Sequence, residues 1–168
     1  MSSTPTTPYT VPAGTSIGHV HLQVTDLDRA LSFYRDLLGF EVTLLYGGQA
    51  AFLSADGYHH HIGLNTWHSR GGRPAQHEGA AGLYHAAILY HDRAGLAAIA
   101  KRLLAAGYLL QGASDHGVSE AIYLDDPDGN GLELYWDRPR AEWPTDAQGQ
   151  LTMYTNALDM AGLLALAE

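Results

Sequence analysis

Residues 17–40 of the chain read IGHVHLQVTDLDRALSFYRDLLGF, and this stretch decides the fold. Its first eight residues alternate in polarity, which predicts a half-buried strand. Thr25 and Asp26 follow as helix-capping residues, and the apolar spacing from Leu27 to Leu38 predicts an amphipathic helix that ends at Gly39. A strand followed directly by a capped helix therefore opens the folded part of the chain.

The same arrangement returns later in the sequence. Residues 83–90, LYHAAILY, predict a second strand of the same kind. Asp92 is expected to cap a helix that runs to about Ala106 and ends at Gly107. Its predicted apolar face consists of Leu96, Ile99, Leu103 and Leu104.

The two halves match in position as well as in pattern. His19 precedes Asp26 by seven residues, and His85 precedes Asp92 by seven residues. The repeat therefore predicts an α+β fold made of two β-α-β-β-β modules. The remaining strands are predicted over residues 40–46, 50–54, 59–67, 108–111, 119–124 and 131–136.

Composition divides the chain into an arm, a domain and an extension. The beginning is rich in Ser, Thr and Pro and predicts a flexible arm, whereas apolar residues near the end predict a short helix packed on the body or on a partner subunit. A ferredoxin-like arrangement of two α/β halves without any site is the competing interpretation of the repeat. The predicted divisions are the arm 1–15, the domain 16–137 with modules 16–68 and 82–137 joined by a linker, and the extension 138–168.

The charge and composition exclude several classes of function. The formal net charge is -9, so we expect the surface to repel nucleic acid and anionic membranes. No apolar run is long enough to span a bilayer, and the first residues lack the pattern of a secretion signal. The absence of cysteine rules out disulfides and thiolate metal sites and is compatible with the reducing cytoplasm, where we expect the protein to reside.

Three polar side chains in apolar strands predict a metal site. His19 and His85 occupy equivalent places in the two modules, and Glu133 lies between two leucines of the last predicted strand. A buried carboxylate is costly unless it pairs or binds a cation, and two imidazoles with one carboxylate form the facial triad of non-haem iron(II) oxygenases. His21 shares the strand face of His19 and is the alternative ligand there.

Beyond these residues the sequence resembles the vicinal-oxygen-chelate superfamily of glyoxalases, bleomycin-resistance proteins and extradiol dioxygenases. The resemblance covers residues 16–137, and the segments at 59–67 and 112–120 are most similar to the ring-cleaving, catechol 2,3-dioxygenase-like branch. The segments that carry it are Gly18-His19-Val20, Asp26-Leu27, Phe33-Tyr34, Leu38-Gly39-Phe40, Tyr84-His85 and the run from Asp126 to Leu134.

The resemblance implies an incomplete eight-stranded barrel around a metal held by His19, His85 and Glu133. It also implies cleavage of an aromatic diol by O2 with Fe(II), for which Mn(II), Ni(II) and Zn(II) are alternatives. The implied acid–base residue is His61, with His60 as the alternative in the neighbouring register. His116 and Tyr123 are implied to contact the substrate oxygens, although as isolated residues they are also compatible with a solvated loop and with the core.

The fourth protein ligand of glyoxalases is expected to be missing. The step from His85 to Glu133, applied to His19, arrives at Trp67, and the only acid between Gly57 and Gly79 is Glu78 in the linker. An open three-ligand site favours ring cleavage over a glyoxalase-like isomerase or lyase, with His61 as the alternative residue that could fill the fourth position. The intact triad disfavours a non-catalytic antibiotic-binding protein.

Two further expectations concern the surroundings of this site. Pairing of modules across chains within the superfamily implies a homodimer. Large aromatic side chains bury much area, so they are expected to wall the cavity or to belong to the core. These are Phe52, Trp67, Tyr135 and Trp136.

Overall fold

A computed structural model of the chain describes residues 8–73, 79 and 81–167. The predicted arm and the predicted linker therefore lie partly outside the described residues. The first module consists of β1 (Val20–Gln23), α1 (Leu27–Leu31) continued by π-helical turns (Ser32–Leu37), β2 (Glu41–Tyr46), β3 (Ala50–Ser54) and β4 (Ile62–Asn65). The second consists of β5 (Ala86–Leu89), α2 (Arg93–Ala105), β6 (Gly112–Asp115), β7 (Ser119–Asp125) and β8 (Gly131–Asp137).

The strands form two separate sheets of mixed direction. The first has the order β1-β4-β3-β2 and the second β5-β8-β7-β6-β9, where β9 is Asn156–Ala157 of the extension. In both modules the first strand runs parallel to the last, and the remaining neighbours are antiparallel. The α+β class and the two β-α-β-β-β modules are thus confirmed, while the sheets are not joined into a closed barrel.

The predicted helix boundaries are reproduced by the capping contacts. The Asp26 carboxylate accepts a hydrogen bond from the Arg29 amide at 3.0 Å, and that of Asp92 accepts one from the Gly95 amide at 2.7 Å. Gly39 and Gly107 follow the helices with φ of 90° and 67°, a conformation that glycine adopts without strain.

One continuous apolar core joins the two modules. It combines side chains of α1 and α2 with one face of each sheet. Polar contacts reinforce the junction, because Tyr34 donates to the Asp126 carboxylate at 2.9 Å. Arg29 and Thr25 both donate to Asp128, at 2.6 and 2.5 Å. The opposite face of each sheet is free of this core and carries the predicted site residues.

Two local predictions are wrong. The strand predicted over 108–111 is found instead at Gly112–Asp115, because Tyr108 turns inward, packs on Phe33 and donates to the Asp125 carbonyl at 2.9 Å. Leu104 was expected on the buried face of α2 but is 45% exposed. Ala97 and Ala100 are buried there, so small residues complete the face that packs on the body.

The extension packs against the second module. After a short 3₁₀ turn at Arg140–Glu142, the chain returns as β9, which pairs antiparallel with β6. The predicted short helix is α3 (Met160–Leu164), and its Leu163 is fully buried in the core. Within the described residues, no helix has the length and apolar character to cross a membrane.

Candidate metal centre and its surroundings

The open face of the second sheet brings His85 and Glu133 together. Strand pairing sets Ala87 beside Glu133, and His85 lies two residues before Ala87 and therefore on the same face. His85 Nε2 lies 2.9 Å from Glu133 Oε2, and both side chains are largely buried. His85 Nδ1 is buried and has no hydrogen-bond partner among the residues that the structure describes.

Gly131 makes this approach possible. A Cβ atom at that position would collide with the Tyr84 carbonyl oxygen and would lie 3.3 Å from the His85 Cβ. The glycine at the start of β8 therefore lets the chain before β5 come close enough to place the imidazole beside the carboxylate.

Tyr123 and His116 extend the pair across the sheet. Tyr123 lies beside Glu133 in the β7–β8 ladder, and its hydroxyl is 3.2 Å from Glu133 Oε1. His116 Nε2 lies 2.6 Å from the same hydroxyl. Burial, followed by the charge and hydrogen bond of Glu133, raises the pKa of Tyr123 to about 12, so its phenol is neutral near pH 7. The result is a continuous line of short polar contacts from His116 to His85.

His19 lies on the other sheet, directly before β1. Its exposed imidazole is 4.3 Å from the His60 ring, measured between centroids. His59 adjoins this group, with its Nδ1 2.7 Å from His60 Nδ1. Burial, followed by the neighbouring histidines with His19 first, lowers the pKa of His60, which favours its neutral form.

His61 is held by the loop that connects β3 and β4. Its Nδ1 lies 3.3 Å from both the Ser54 hydroxyl and the Ala55 amide, and its Nε2 lies 3.8 Å from the Asp56 carboxylate. These partners all belong to the first module. The structure therefore places His61 near the end of the sheet that carries His19.

His21 fills the place where the first module would carry a counterpart of Glu133. Strand pairing sets Gly63 beside His21, just as it sets Glu133 beside Ala87. A Cβ at Gly63 would lie 2.8 Å from the His21 ring, so the imidazole packs directly against the backbone of Gly63. Burial, followed by the charge of His19, lowers the pKa of His21.

This register corrects the alignment of the two modules. Trp67 was predicted to stand at the position of the fourth ligand, but that position belongs to Gly63, because the first module has fewer residues between its first and last strands. The absence of a carboxylate at this position nevertheless holds. Trp67 and Phe52 flank the His21 ring, at 5.5 and 5.7 Å between centroids.

The two sheets do not bring all three predicted ligands together in one chain. In the part of the chain that the structure describes, no three His, Asp or Glu side chains form a group that could hold a metal. The strands β1 and β5 are edge strands of their sheets, and residues of both line a cleft of about 920 Å³. Tyr135 lines this cleft, whereas Trp136 packs against the core.

The second module offers a donor set that suits a divalent metal. An imidazole and a carboxylate 2.9 Å apart are an ordinary pair of metal ligands, and the Nδ1 atom of the same imidazole is buried without a partner among the described residues. The residues present therefore fit a metal, with His85 and Glu133 as two candidate ligands.

One contact of the site was not anticipated from the sequence. The Tyr154 carbonyl lies 2.9 Å from His116 Nδ1, although these residues belong to the extension and to the β6–β7 turn. No periodicity or motif around Tyr154 indicated this, because a backbone carbonyl leaves no signal in residue type.

Comparisons with known proteins agree with this architecture. The family model described as "Glyoxalase/Bleomycin resistance protein/Dioxygenase superfamily" matches residues 16–134. A catechol-2,3-dioxygenase from Bacillus subtilis (strain 168) is 43% identical over 150 residues, which are 89% of this chain and 51% of the relative. Biphenyl-2,3-diol 1,2-dioxygenase 3 from Rhodococcus globerulus is 32% identical over 122 residues, which are 72% of this chain and 63% of the relative.

Solved structures show the same fold at lower identity. A glyoxalase/dioxygenase from Nostoc punctiforme has a TM-score of 0.64 at 16% identity, covering 80% of this chain and 100% of the other. A lactoylglutathione lyase from Agrobacterium tumefaciens has a TM-score of 0.57 at 24% identity, covering 74% and 96%. At these identities the likeness concerns the fold alone. The chain spans between 51% and 63% of the length of the curated relatives named above.

Proposed function

Since the chain belongs to the glyoxalase/bleomycin resistance protein/dioxygenase superfamily, we propose that it is an extradiol-type dioxygenase. Its substrates are a catechol-like aromatic diol and O2, and its cofactor is a divalent metal, with Fe(II) as the favoured ion. The observation that carries this proposal is the line of contacts His116–Tyr123–Glu133–His85 on the open face of the second sheet.

The line of contacts provides the groups that ring cleavage requires. A divalent metal bound by His85, Glu133 and His19 would hold the two oxygens of the diol and bring O2 beside the ring. The neutral Tyr123 hydroxyl lies next to the proposed ligand Glu133 and can hydrogen-bond a substrate oxygen. His116 adjoins that hydroxyl and can exchange a proton through it.

The overall reaction balances without a further reactant. Both atoms of O2 enter the ring-opened product, the carbon–carbon bond beside the diol breaks, and the diol supplies the electrons. The diol loses protons on binding and the product regains them, which is the role proposed for His116, Tyr123 and His61. His60, beside His19, is the alternative to His61.

The relatives support the same chemistry. The named relatives from Bacillus subtilis and Rhodococcus globerulus are dioxygenases of catechol and of a biphenyl diol. A glyoxalase-like isomerase is less well supported, because Gly63 stands where a fourth carboxylate ligand would be needed. A non-catalytic binding protein would have no use for an imidazole–carboxylate pair with an unpartnered buried nitrogen.

We further propose that a second copy of the chain completes the triad. His19 and the His85–Glu133 pair lie on different sheets, and β1 and β5, which follow the two histidines, are edge strands without a further partner in the described part of the chain. The open faces also expose apolar side chains that a partner would cover, including Leu44, Tyr46 and Leu89. In a symmetric dimer, the first module of one chain would meet the second module of its partner.

The decisive assay is aerobic mixing of iron-loaded protein with catechol and substituted catechols. We expect O2 uptake and a yellow ring-opened semialdehyde. Protein that binds iron or manganese, takes up no O2 and leaves these diols intact would contradict the dioxygenase. Isomerisation of a thiohemiacetal with bound nickel or zinc would indicate the glyoxalase-like activity, and the absence of bound metal would indicate a binding protein.

Replacement of His85 tests the metal site itself. We expect His85→Ala to lose bound metal and activity while keeping the fold, because the imidazole supplies a ligand and sits at the edge of the core. Metal content by elemental analysis and circular dichroism provide the measurements. His68→Ala, which removes an exposed histidine of the first module, is the matched control. Unchanged metal content in His85→Ala would remove the ligand assignment.

A further inference from the structure

The extension returns to the edge of the second sheet in a way that places one carbonyl beside His116. The isolated pair Thr145 and Leu151 and the bond from the Thr152 amide to the Pro144 carbonyl, at 2.9 Å, fold the chain back on itself. The chain then pairs as β9 with Ser114 and Asp115 of β6. Tyr154 lies just before β9 and therefore beside the end of β6, where His116 begins the turn to β7.

The contact between Tyr154 and His116 specifies which imidazole nitrogen carries a proton. The Tyr154 carbonyl oxygen lies 2.9 Å from His116 Nδ1, and a carbonyl can only accept a hydrogen bond. The Nδ1 atom must therefore be protonated. In a neutral ring, Nε2 then accepts the single proton of the Tyr123 hydroxyl over 2.6 Å, in preference to the longer contact of 3.2 Å between that hydroxyl and Glu133 Oε1. The ring is thereby fixed both in orientation and in proton position.

The Tyr154 ring packs against the backbone of Gly117. Gly117 follows His116 with φ of 78°, and a Cβ there would lie 2.6 Å from the Tyr154 ring and 2.9 Å from Pro144 Cγ. The Tyr154 ring thus packs directly on bare backbone. A second backbone bond, from the Tyr154 amide to the His116 carbonyl at 3.3 Å, holds the two segments together.

We propose that the extension is a working part of the candidate site, in which the Tyr154 segment acts as a positioning element for His116. The Tyr154 carbonyl holds the Nδ1 proton, and the ring on Gly117 keeps that carbonyl in place. His116 Nε2 is thereby presented to Tyr123 and, through it, to Glu133. The positioning rests on the geometry alone, whereas its effect on turnover rests on the proposed dioxygenase function.

The test compares two glycine substitutions of equal backbone cost. Gly117→Ala adds a methyl group that displaces the Tyr154 ring. Gly149→Ala adds one at φ of 77°, where no other described residue comes within 4 Å. Nitrogen-15 NMR of the imidazole in the metal-free protein reads the proton position directly. We expect a single Nδ1–H form of His116 in the parent chain and in Gly149→Ala, and loss of that form in Gly117→Ala.

A second pair of variants covers the case in which Gly117→Ala does not fold. Tyr154→Ala removes the packed ring but leaves the backbone, and we expect it also to lose the single Nδ1–H form. Tyr154→Phe keeps the ring and the carbonyl, and we expect it to retain that form. In iron-loaded protein, kcat for catechol should fall at least about tenfold in Gly117→Ala and Tyr154→Ala, with KM and metal content unchanged.

The outcomes separate the two proposals. A parent-like His116 spectrum in a folded Gly117→Ala or Tyr154→Ala variant would overturn the positioning role. An altered spectrum in these variants, together with no ring cleavage by any form of the protein including the parent, would leave the positioning intact and remove the proposed function. An altered spectrum with undiminished kcat would show that the site does not use the extension.

Discussion

Gly63 shows how a single missing side chain shapes the candidate site. The imidazole of His21 lies over it, between Phe52 and Trp67, where the second module carries the Glu133 carboxylate. The two modules therefore use equivalent positions for different groups. In the first module, β1 presents the His21 imidazole between two aromatic rings, and in the second module β8 presents a carboxylate.

Filling Gly63 should disturb this arrangement. We expect Gly63→Ala to destabilise the protein by about 1–3 kcal/mol, because the added methyl overlaps the His21 ring. Chemical denaturation measures the loss. Gly82→Ala is the control, since no atom of the described residues lies within 4 Å of its Cβ position. Adding His21→Ala should recover most of the lost stability, and a double variant no more stable than Gly63→Ala would contradict the contact.

At the scale of secondary structure, the elements with strong local signals were predictable. Asp26 and Asp92 both cap helices, Gly39 and Gly107 end them, and the strand over 50–54 is found with the predicted bounds. The β6 strand was misplaced because Tyr108, a good strand former, is used as a core residue. β9 was missed because two residues carry no periodicity, and only the sheet edge makes them a strand.

The same local signals yield a prediction for α2. Asp92→Ala should lower the free energy of unfolding by about 1 kcal/mol, because the Gly95 amide loses its acceptor at the start of the helix. Asp92→Asn is the matched control and should remain close to the parent, since an amide oxygen caps equally well. Thermal and denaturant unfolding provide the measurement, and equal losses in both variants would show that charge rather than capping matters.

At the scale of the whole molecule, the candidate site depends on how modules meet. Sequence alone assigned the ligands His19, His85 and Glu133 to one centre, and the single chain brings together only the last two. Sequence could not decide between pairing within a chain and pairing across chains, because both satisfy the same strand pattern. The difference lies in contacts between the modules, such as those of Asp128 with Thr25 and Arg29.

Mixing two inactive variants distinguishes the two forms of pairing. If a second copy completes the site, His19→Ala and His85→Ala are each inactive, and co-refolding equal amounts should restore about a quarter of the parent activity, since half of the dimers are mixed and each has one intact site. Ring cleavage and bound iron are measured before and after mixing. If neither ring cleavage nor bound iron recovers, either all three ligands lie in one chain or the ligand assignment is wrong.

The contacts of the second module have a practical consequence. Because His85, Glu133, Tyr123 and His116 are linked on one sheet, that sheet forms a nearly self-contained chemical unit. The first module contributes His19 together with an aromatic wall around Phe52. Substitutions meant to alter the specificity of the proposed dioxygenase should therefore be made in the aromatic wall, and the linked unit should be left unchanged.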